Sequence, residues 1–416
     1  MYGLLGKKLG HSYSKEIHET ITNTKYTLYE VDKLDLFFNN VKFRGINVTI
    51  PYKTQVIPYL DELSTIAKET NTVNTIFFKS GKLIGYNTDY YGIEKTLQLN
   101  DISVSDKEVI ILGNGSTSNT IRVYCERNLA KKITILARNP KENEYHFSDV
   151  DNFKTSEIIF NTTPVGMFPN NNGTLPLDLQ KFPNLSSVVD VVYNPSRSNL
   201  LIDAEKYNIK AINGLFMLIC QAVKSIELFH SISISDIELI NLYRKIKLQT
   251  SNIVFIGMPM SGKTYFSKYI ANYYNKNFID LDTEIEKTAQ MPIKDIFREY
   301  DEKHFRNLES NEVKKIYKTH NKAISCGGGI ILDALNMKML KQNGIILFID
   351  APLSLLRKCN PKNRPLLKNK DNLDKLFNTR YNLYKKYADI VIKKESFNEE
   401  TTFNEIEVKL NEYLSS

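Results

Sequence analysis

The stretch that decides the fold of the second half is "GMPMSGKT", residues 257–264, which follows the apolar run "IVFI". Gly257 is followed by four residues and then by Gly262, Lys263 and Thr264, which is the spacing of a loop that wraps phosphate groups. Glycines let the backbone N–H groups point at phosphate oxygens, while Lys263 reaches the β- and γ-phosphates and Thr264 offers a hydroxyl to Mg²⁺. The predicted nucleotide-binding residues are Pro259, Met260, Ser261, Gly262, Lys263 and Thr264.

More than half of the chain precedes this loop, although such loops usually lie near the start of their domain. Single cores stop growing at about 250–300 residues, so 416 residues predict two or three domains. Apolar residues at 42% and charged residues at 25% are typical of soluble globular proteins. No signal peptide and no run of ~18 apolar residues is visible, so neither export nor a membrane span is expected.

Cysteine usage and charge restrict the function classes further. The four cysteines are scattered and form no CxxC pair, which argues against a zinc site or a disulfide framework and favours a cytoplasmic protein. The net charge of +8 fits anionic small substrates at least as well as nucleic acid. We therefore expect small-molecule substrates and no nucleic-acid or membrane partner, and the oligomeric state stays open.

Short apolar runs alternate with amphipathic segments along the whole chain, the pattern of an α/β protein whose parallel sheets are covered by helices. The segment 107–139 reads as strand, glycine-rich turn, helix and strand. Other strands are expected at 1–4, 25–30, 44–48, 73–79, 157–160, 187–192 and 252–256, and helices near 14–20, 62–69, 90–98, 214–230 and 235–247.

Charged residues and glycines behind the phosphate loop suggest an acceptor site. Asp280 and Asp282 in "NFIDLDTEIE" point the same way at a strand end, because side chains alternate along a strand. The other candidates are Arg306 and Glu309 in "EKHFRNLE", Gly327, Gly328 and Gly329 in "CGGGI", Arg364 in "NRPLL" and Arg380 in "RYNLY". Taken singly, Arg306 and Glu309 could be a surface pair and the three glycines could be a turn.

Together, in this order and spacing, these motifs resemble the shikimate kinases over residues 251–395. The resemblance implies a P-loop domain at 250–416, a parallel sheet flanked by helices, that uses ATP and Mg²⁺. One departure, Asp301, lies at a turn where the family usually has glycine, and it should not touch the chemistry. The resemblance implies that Asp282 binds the acceptor hydroxyl and serves as base, and that Asp280 binds Mg²⁺ through water. Arg306 and Arg380 would bind the acceptor carboxylate, and Gly328 and Gly329 would offer it backbone N–H groups. Arg364 would bind the phosphates as a lid closes.

The first half contains a second glycine-rich turn, "GNGSTS" at 113–118, after the strand "EVIIL". Gly113 and Gly115 fit a dinucleotide-binding turn, but Ser118 stands at the third position, so the motif alone is weak. The strand "ITIL" then ends in Ala137 and Arg138 instead of an acid that would hold a ribose hydroxyl. A guanidinium there suits a 2′-phosphate and favours NADP; the alternative is that Arg138 is a solvated residue at a strand end.

Four segments before this turn carry groups that could handle a small acid: "GHSYS" with Ser12 and Ser14, "NVTIPYK" with Thr49 and Lys53, "NTVNT" with Asn74, and "GYNTD" with Asn87 and Asp89. Hydride delivery to a ketone makes an alkoxide, which needs a proton donor and electrostatic help. A lysine beside an aspartate provides both at neutral pH.

With "NTTPVGM", "DVVYNP" and "NGLFMLICQA", these segments resemble the shikimate dehydrogenases over residues 1–246. The resemblance implies a substrate domain (1–100 with 214–246) and a Rossmann NADP domain (101–213). Three departures, at Lys15, Asn71-Thr72 and Tyr90, are expected to crowd the substrate cleft. The implied roles are substrate carboxylate binding by Ser12 and Ser14, ring hydroxyl binding by Thr49, Asn74 and Gln221, catalysis by Lys53 and Asp89, pyrophosphate binding by Gly113, Asn114, Gly115, Ser116 and Thr117, 2′-phosphate binding by Arg138, and contact with the nicotinamide end by Tyr193 and Gly214.

The two resemblances support each other, because the product of the first enzyme is the acceptor of the second. They imply reduction of 3-dehydroshikimate to shikimate with NADPH, followed by phosphorylation of its 3-hydroxyl with ATP. Two other readings stay open. The first half could be a degenerate, ligand-sensing module that regulates the kinase, or the kinase acceptor could be a nucleoside monophosphate or gluconate.

Overall fold

The computed structural model describes residues 1–10, 13–171, 173–359 and 370–415. The chain forms two compact units: Met1–Tyr193 with Ser198–Tyr243, and Asn194–Arg197 with Arg244–Ser416. Within the described residues, no helix has the length and apolar character that crossing a membrane requires.

The first sheet of the first unit is mixed, in the order β2-β1-β3-β5-β6-β4. The pairs β3/β5 and β5/β6 are antiparallel, so the prediction of parallel sheets is wrong for this part. Ser80 and Gly81, with φ of 51° and 81°, form the two-residue turn between β5 and β6. The elements are β1 (Tyr2–Gly6), α1 (Ser14–Thr22), β2 (Tyr26–Glu30), α2 (Leu34–Asn40), β3 (Gly45–Val48), β4 (Glu62–Leu63), α3 (Thr65–Thr70), β5 (Thr75–Lys79), β6 (Lys82–Tyr86) and α4 (Asp89–Leu99).

The second sheet of this unit is parallel, in the order β12-β11-β10-β7-β8-β9. This is the doubly wound Rossmann order, in which the chain reverses direction across the sheet between β7 and β10. The central strands β7, β10 and β11 are buried almost along their whole length, because both faces of the sheet are covered. The elements are β7 (Glu108–Leu112), α5 (Ser116–Arg127), β8 (Lys132–Ala137), β9 (Tyr145–His146), β10 (Ile158–Asn161), β11 (Ser187–Asp190), α6 (Asn199–Lys206), β12 (Lys210–Ile212), α7 (Leu215–His230) and α8 (Asp236–Thr250).

The second unit has one parallel sheet, in the order β14-β15-β13-β16-β17. The central strand β13 is buried along its whole length and runs directly into the phosphate loop. The elements are β13 (Asn252–Gly257), α9 (Lys263–Tyr273), β14 (Asn277–Asp280), α10 (Leu281–Ala289), α11 (Ile293–Glu299), α12 (Glu302–Ile316), β15 (Lys322–Ser325), α13 (Ala334–Asn343), β16 (Gly344–Asp350), α14 (Leu353–Leu356), α15 (Lys370–Tyr387), β17 (Ile390–Lys393) and α16 (Glu399–Ser415).

Most of the strands and helices expected from the sequence are present, with ends shifted by a few residues. The helix expected at 62–69 begins only at Thr65, because Glu62 and Leu63 pair with Ile84 and Gly85 as strand β4. The sequence analysis did not predict α2 or β6.

Candidate active sites

A cavity of about 320 Å³ lies in the first unit, where the loops after β3 and before α4 face the starts of α5 and α7. It brings together residues that are far apart in the sequence. Ser12 falls outside the described residues. The predicted site residues that line the cavity are Ser14, Thr49, Lys53, Asn74, Asp89, Thr117, Tyr193, Gly214 and Gln221.

Lys53 and Asp89 form an ion pair inside this cavity, with 2.6 Å between Nζ and Oδ2. The side chains are 13% and 9% exposed, so water screens the pair weakly. Asn74 Nδ2 donates to the other carboxylate oxygen of Asp89 at 2.9 Å. Asp89 is also the first residue of α4, where a negative charge is favoured by the helix dipole. Its carboxylate is thereby held in one orientation, with Lys53 beside it.

The amide of Asn74 is already engaged by the protein. Besides Asp89, its Nδ2 lies 3.4 Å from Gln221 Oε1, and its Oδ1 accepts from the Thr88 backbone N–H at 2.7 Å. Asn74 therefore orients the Asp89 carboxylate, and its predicted contact with a ring hydroxyl stays a prediction. The cavity is also lined by Lys8 and Asn47, which the sequence analysis did not identify. Lys8 belongs to none of its motifs, and Asn47 opens "NVTIPYK", where only Thr49 and Lys53 were singled out.

The dinucleotide turn follows β7 and leads into α5. Gly113 has a φ of +102°, and a Cβ there would lie 2.6 Å from Thr162 Oγ1, so this position requires glycine. Gly115 is the N-cap of α5, and a Cβ there would meet nothing within 4 Å. A phosphate could therefore approach the backbone of Asn114, Gly115 and Ser116 at a helix N-terminus. Arg138 is exposed directly after β8.

A buried carboxyl, Asp190, directly precedes Val191, which lines the cavity. Asp190 ends β11 and accepts hydrogen bonds from Asn161 Nδ2 at 2.9 Å and from the Val192 N–H at 3.0 Å. Burial raises the pKa of Asp190 to about 6, although these donors and Ser198 favour its charged form. At Gly214, the N-cap of α7, a Cβ would lie 2.1 Å from the Val191 carbonyl oxygen, so close packing requires this glycine.

A second cavity, of about 250 Å³, lies at the phosphate loop of the second unit. Lys263 is buried, and its Nζ donates to the carbonyl oxygens of Gly257 at 3.0 Å and Met258 at 2.9 Å. Gly262, the N-cap of α9, has a φ of +97°. The cavity is lined by Met260, Gly262, Lys263, Thr264, Tyr265, Asp282, Ser325 and Cys326.

The two residues predicted to serve Mg²⁺ lie together. Thr264 Oγ1 donates to Asp280 Oδ2 at 2.9 Å. Ser325 Oγ lies 3.0 Å from Thr264 Oγ1. Ser325 is the last residue of β15, and only Cys326 separates it from the glycine triplet. The sequence analysis missed Ser325, although its position at a strand end next to "CGGG" could have indicated it.

The acceptor residues surround the three glycines. Arg306 Nη1 donates to Glu309 Oε2 at 2.8 Å, and a Cβ on Gly329 would lie 2.2 Å from Arg306 Nη2. Arg380 Nη1 donates to the Gly328 carbonyl oxygen at 3.1 Å. The glycines therefore leave room for the protein's own guanidinium groups, and the interpretation of the triplet as a mere turn is insufficient.

Glu309 is fully buried, so the alternative of a surface pair with Arg306 is wrong. Its Oε1 has no hydrogen-bond partner among the described residues. A Cβ on Gly327 would lie 3.2 Å from this oxygen and 2.7 Å from Asp282 Oδ1, which places both carboxylates on one side of that glycine. Burial raises the pKa of the Glu309 carboxyl, while the Arg306 guanidinium opposes this shift.

Several predicted residues lie elsewhere. Arg364 falls outside the described residues. Asp301 caps α12 by accepting from the His304 N–H at 2.8 Å, away from the cavity. Lys15, Asn71, Thr72 and Tyr90 do not line the dehydrogenase cavity among the described residues, so the prediction that they crowd the cleft is wrong. Tyr90 packs against Tyr124 instead, with 5.5 Å between the ring centroids.

Comparisons with known proteins find the two families that the sequence motifs resemble. A model of the shikimate kinase family matches residues 259–411, and one of the shikimate dehydrogenase substrate binding domain matches residues 4–76. Shikimate dehydrogenase (NADP(+)) of Clostridium beijerinckii is 37% identical over 253 residues, which cover 56% of this chain and 93% of that protein. The corresponding protein of Clostridium perfringens is 35% identical over 269 residues, covering 59% of this chain and 98% of that protein.

Solved structures give the same result for the first part of the chain. A chorismate mutase/shikimate 5-dehydrogenase fusion protein from Clostridium acetobutylicum is 34% identical, with a TM-score of 0.55, covering 59% of this chain and 96% of that one. Shikimate dehydrogenase 1 from Peptoclostridium difficile is 31% identical, with a TM-score of 0.55, covering 59% and 97%. The chain therefore belongs to the shikimate dehydrogenase family and carries a shikimate kinase domain behind the dehydrogenase, as a bifunctional shikimate-pathway enzyme.

Proposed function

We propose that the first unit reduces 3-dehydroshikimate to shikimate with NADPH, and that the second phosphorylates shikimate to shikimate 3-phosphate with ATP. The observation that carries this proposal is the weakly exposed Lys53–Asp89 ion pair inside a ligand-sized cavity, on the same chain as a phosphate loop. A module that only senses a ligand has no need for a positioned proton donor and its orienting carboxylate. This disfavours the alternative of a degenerate regulatory half.

In the first unit, Lys53 is the group that would give a proton to the substrate carbonyl oxygen as it becomes a hydroxyl. Asp89 keeps Lys53 protonated before the transfer and fixes its direction, while Asn74 holds Asp89. Bound NADPH supplies the hydride. The proton and the hydride together account for the two hydrogens added to the ketone.

The residues present fit NADP(H). Gly115 leaves open space at the N-terminus of α5, where Ser116 and Thr117 present backbone N–H groups to a pyrophosphate. Arg138, exposed at the end of β8, is free to meet a 2′-phosphate from solvent. Tyr193 and Gly214 line the cavity itself, so they are placed to limit where a nicotinamide ring could lie.

In the second unit, Arg306 and Arg380 would bind the shikimate carboxylate, and Asp282 would accept the proton of the hydroxyl that is phosphorylated. Lys263 would leave the two carbonyl oxygens that it now contacts and bind the phosphates of ATP. Bound Mg²⁺ neutralises phosphate charge, and the cluster of Thr264, Asp280 and Ser325 offers it oxygen ligands, directly or through water. We favour a carboxylated ring as the acceptor because two guanidinium groups lie beside the glycine triplet. Gluconate also carries a carboxylate, but on an open chain, and a nucleoside monophosphate carries a phosphate instead.

A cytoplasmic location is part of the proposal. All four cysteines are unpaired, and three of them are buried, as expected of a protein that works in a reducing compartment. The proposed partners are the small-molecule substrates alone.

A mixing experiment tests both activities on the natural chain. The purified protein with 3-dehydroshikimate, NADPH and ATP–Mg²⁺ should oxidise NADPH and accumulate shikimate 3-phosphate. The Lys53→Ala variant should form no shikimate, and the Lys263→Ala variant should accumulate shikimate without phosphorylating it. An equimolar mixture of the two variants should again form shikimate 3-phosphate. If the unmodified protein oxidised no NADPH with this substrate, or if shikimate failed to consume ATP, the proposed function would be wrong.

A further inference from the structure

The loop that follows β8 is folded back onto the dinucleotide turn by a carboxylate. Asn114, inside the turn, donates through Nδ2 to the Asn139 carbonyl oxygen at 2.9 Å and to Glu144 Oε2 at 2.7 Å. The same oxygen of Glu144 accepts from the Lys141 N–H at 2.7 Å, and the Glu144 N–H donates to the Lys141 carbonyl oxygen at 3.1 Å. Glu144 is half-buried and therefore fixed in place beside the turn.

This corner is where a Rossmann fold distinguishes its two dinucleotides. The adenine-side ribose lies near the end of the second strand, here β8, where an acid holds the 2′-hydroxyl of NAD and a cation meets the 2′-phosphate of NADP. Here Arg138 supplies the cation and Glu144 supplies an acid in the same loop. Both hydrogen bonds to Glu144 use Oε2, which leaves Oε1 without a partner among the described residues.

We propose that Glu144 is a coenzyme-specificity residue that weakens binding of the 2′-phosphate and keeps NAD(H) usable as a second coenzyme of the dehydrogenase site. A carboxylate next to this position repels a phosphate of the same sign, and such a repulsive group changes specificity without adding a contact. The same carboxylate can accept a hydrogen bond from the 2′-hydroxyl, which only NAD(H) has. The inference rests on the proposed dinucleotide role of the first unit.

The matched variant is Glu144→Gln. The amide oxygen of glutamine can still accept from Asn114 and from the Lys141 N–H, so the loop keeps its hydrogen bonds while the charge is removed. Glu142→Gln is the control, because Glu142 is exposed in the same loop. Far-UV circular dichroism melts show whether either change disturbs the fold.

Binding of NADPH and of NADH is titrated by nucleotide fluorescence at low and at high salt, and KM is measured for NADP⁺ and NAD⁺ with shikimate. We expect Glu144→Gln to tighten NADPH binding by about fivefold to tenfold, with NADH binding unchanged or weaker, and the gain to shrink at high salt because added ions screen exposed charges. Glu142→Gln should change the NADPH-to-NADH ratio by less than about twofold at the same salt.

An unchanged NADPH-to-NADH ratio in Glu144→Gln would overturn the inference, as would an equal gain for both coenzymes or an equal change in Glu142→Gln. The binding titration does not depend on turnover. If the unmodified protein binds both coenzymes but oxidises no shikimate, the proposed function fails while the role of Glu144 is still decided by the ratio.

Discussion

Lys53 and Asp89 are 36 positions apart in the chain, and their side chains meet at 2.6 Å. Their meeting depends on where one loop ends and one helix begins, since Lys53 follows β3 at a short distance and Asp89 opens α4. The residue types alone indicate a proton donor and its partner, but they do not reveal that Asn74 also holds Asp89. Contacts of that kind arise from tertiary packing, which no motif encodes.

Lys53→Ala should abolish NADP⁺ reduction by shikimate and leave ATP consumption with shikimate nearly unchanged. Loss of a positioned proton donor costs about 10²–10⁴-fold in rate. The two activities are measured separately on the same preparation, so the kinase serves as an internal control for folding. Near-normal oxidation of shikimate by this variant would remove Lys53 from the mechanism.

Arg306→Ala should raise the KM for shikimate in the kinase reaction by orders of magnitude while the KM for ATP barely moves. Truncating one partner of a buried charge-assisted contact costs about 2–5 kcal/mol, and Arg306 is 19% exposed beside the fully buried Glu309. Asp282→Asn keeps the shape of the site but removes a charge, so it should lower kcat more than it weakens ATP binding. An unchanged KM for shikimate in Arg306→Ala would exclude the carboxylate contact and turn attention to uncharged acceptors.

At the scale of elements, both proposed sites lie at the carboxyl ends of strands, where strand order reverses in each parallel sheet. The sequence predicted where the two glycine-rich turns lie, because a glycine-rich turn between an apolar strand and a helix is a local signal. The sequence analysis did not predict that the first sheet is mixed. The antiparallel pairing of β5 with β6 depends on the Ser80-Gly81 turn, and hydrophobic periodicity does not show which strands pair. Likewise, the burial of Glu309 and the position of Ser325 follow from packing between elements.

Gly262→Ala should lower kcat/KM for ATP by about tenfold or more and leave the dehydrogenase unchanged. A side chain at a φ of +97° costs about 1–2 kcal/mol, and each 1.36 kcal/mol corresponds to a factor of ten in rate. The new Cβ would also lie 3.0 Å from Lys394 Nζ. Steady-state kinetics with varied ATP checks this.

Met260→Gly is the matched comparison in the same loop. Met260 already has a φ of +68°, which glycine adopts without strain, so this variant should keep most of its kinase activity. Equal losses in Gly262→Ala and Met260→Gly would show that the loop tolerates no change at all, and the argument from backbone conformation would then be wrong.

On the scale of the whole molecule, the order of segments along the chain was predictable, since each half carries its own motifs. The assignment of Asn194–Arg197 to the second unit was not, because nothing in "NPSR" distinguishes it from the dehydrogenase residues around it. The stability of the whole molecule also depends on buried groups outside the catalytic and binding residues predicted from the motifs. Asp190 is one of them, and its contribution to the free energy of unfolding can be measured.

Asp190 should make the unfolding free energy fall as pH rises from about 4 to about 6. Its pKa in the folded protein is about 6, raised by burial from an ordinary value of 3.8, so in this interval the folded state binds more protons than the unfolded state. A shift of about two pKa units corresponds to a loss of about 3 kcal/mol at most, complete above pH ~6 and absent below pH ~4. Asp190→Asn cannot titrate, so its unfolding free energy should lack this component. Because the chain contains no tryptophan, urea unfolding is followed by far-UV circular dichroism at several pH values.

The comparison uses slopes, since Asp190→Asn also changes the hydrogen bonds to Asn161 and Val192 by an amount that does not vary with pH. Asp203→Asn, at an exposed position of α6, is the control and should follow the wild-type pH dependence. Other carboxylates with lowered pKa values, such as Glu69 beside Arg127, act in the opposite direction in both proteins and cancel in the difference. The difference between wild type and Asp190→Asn should therefore shift steadily in favour of the variant between pH ~4 and ~6 and then level off. Parallel curves for the two proteins across this interval would mean that Asp190 titrates normally in the folded state, and that its three donors outweigh its burial.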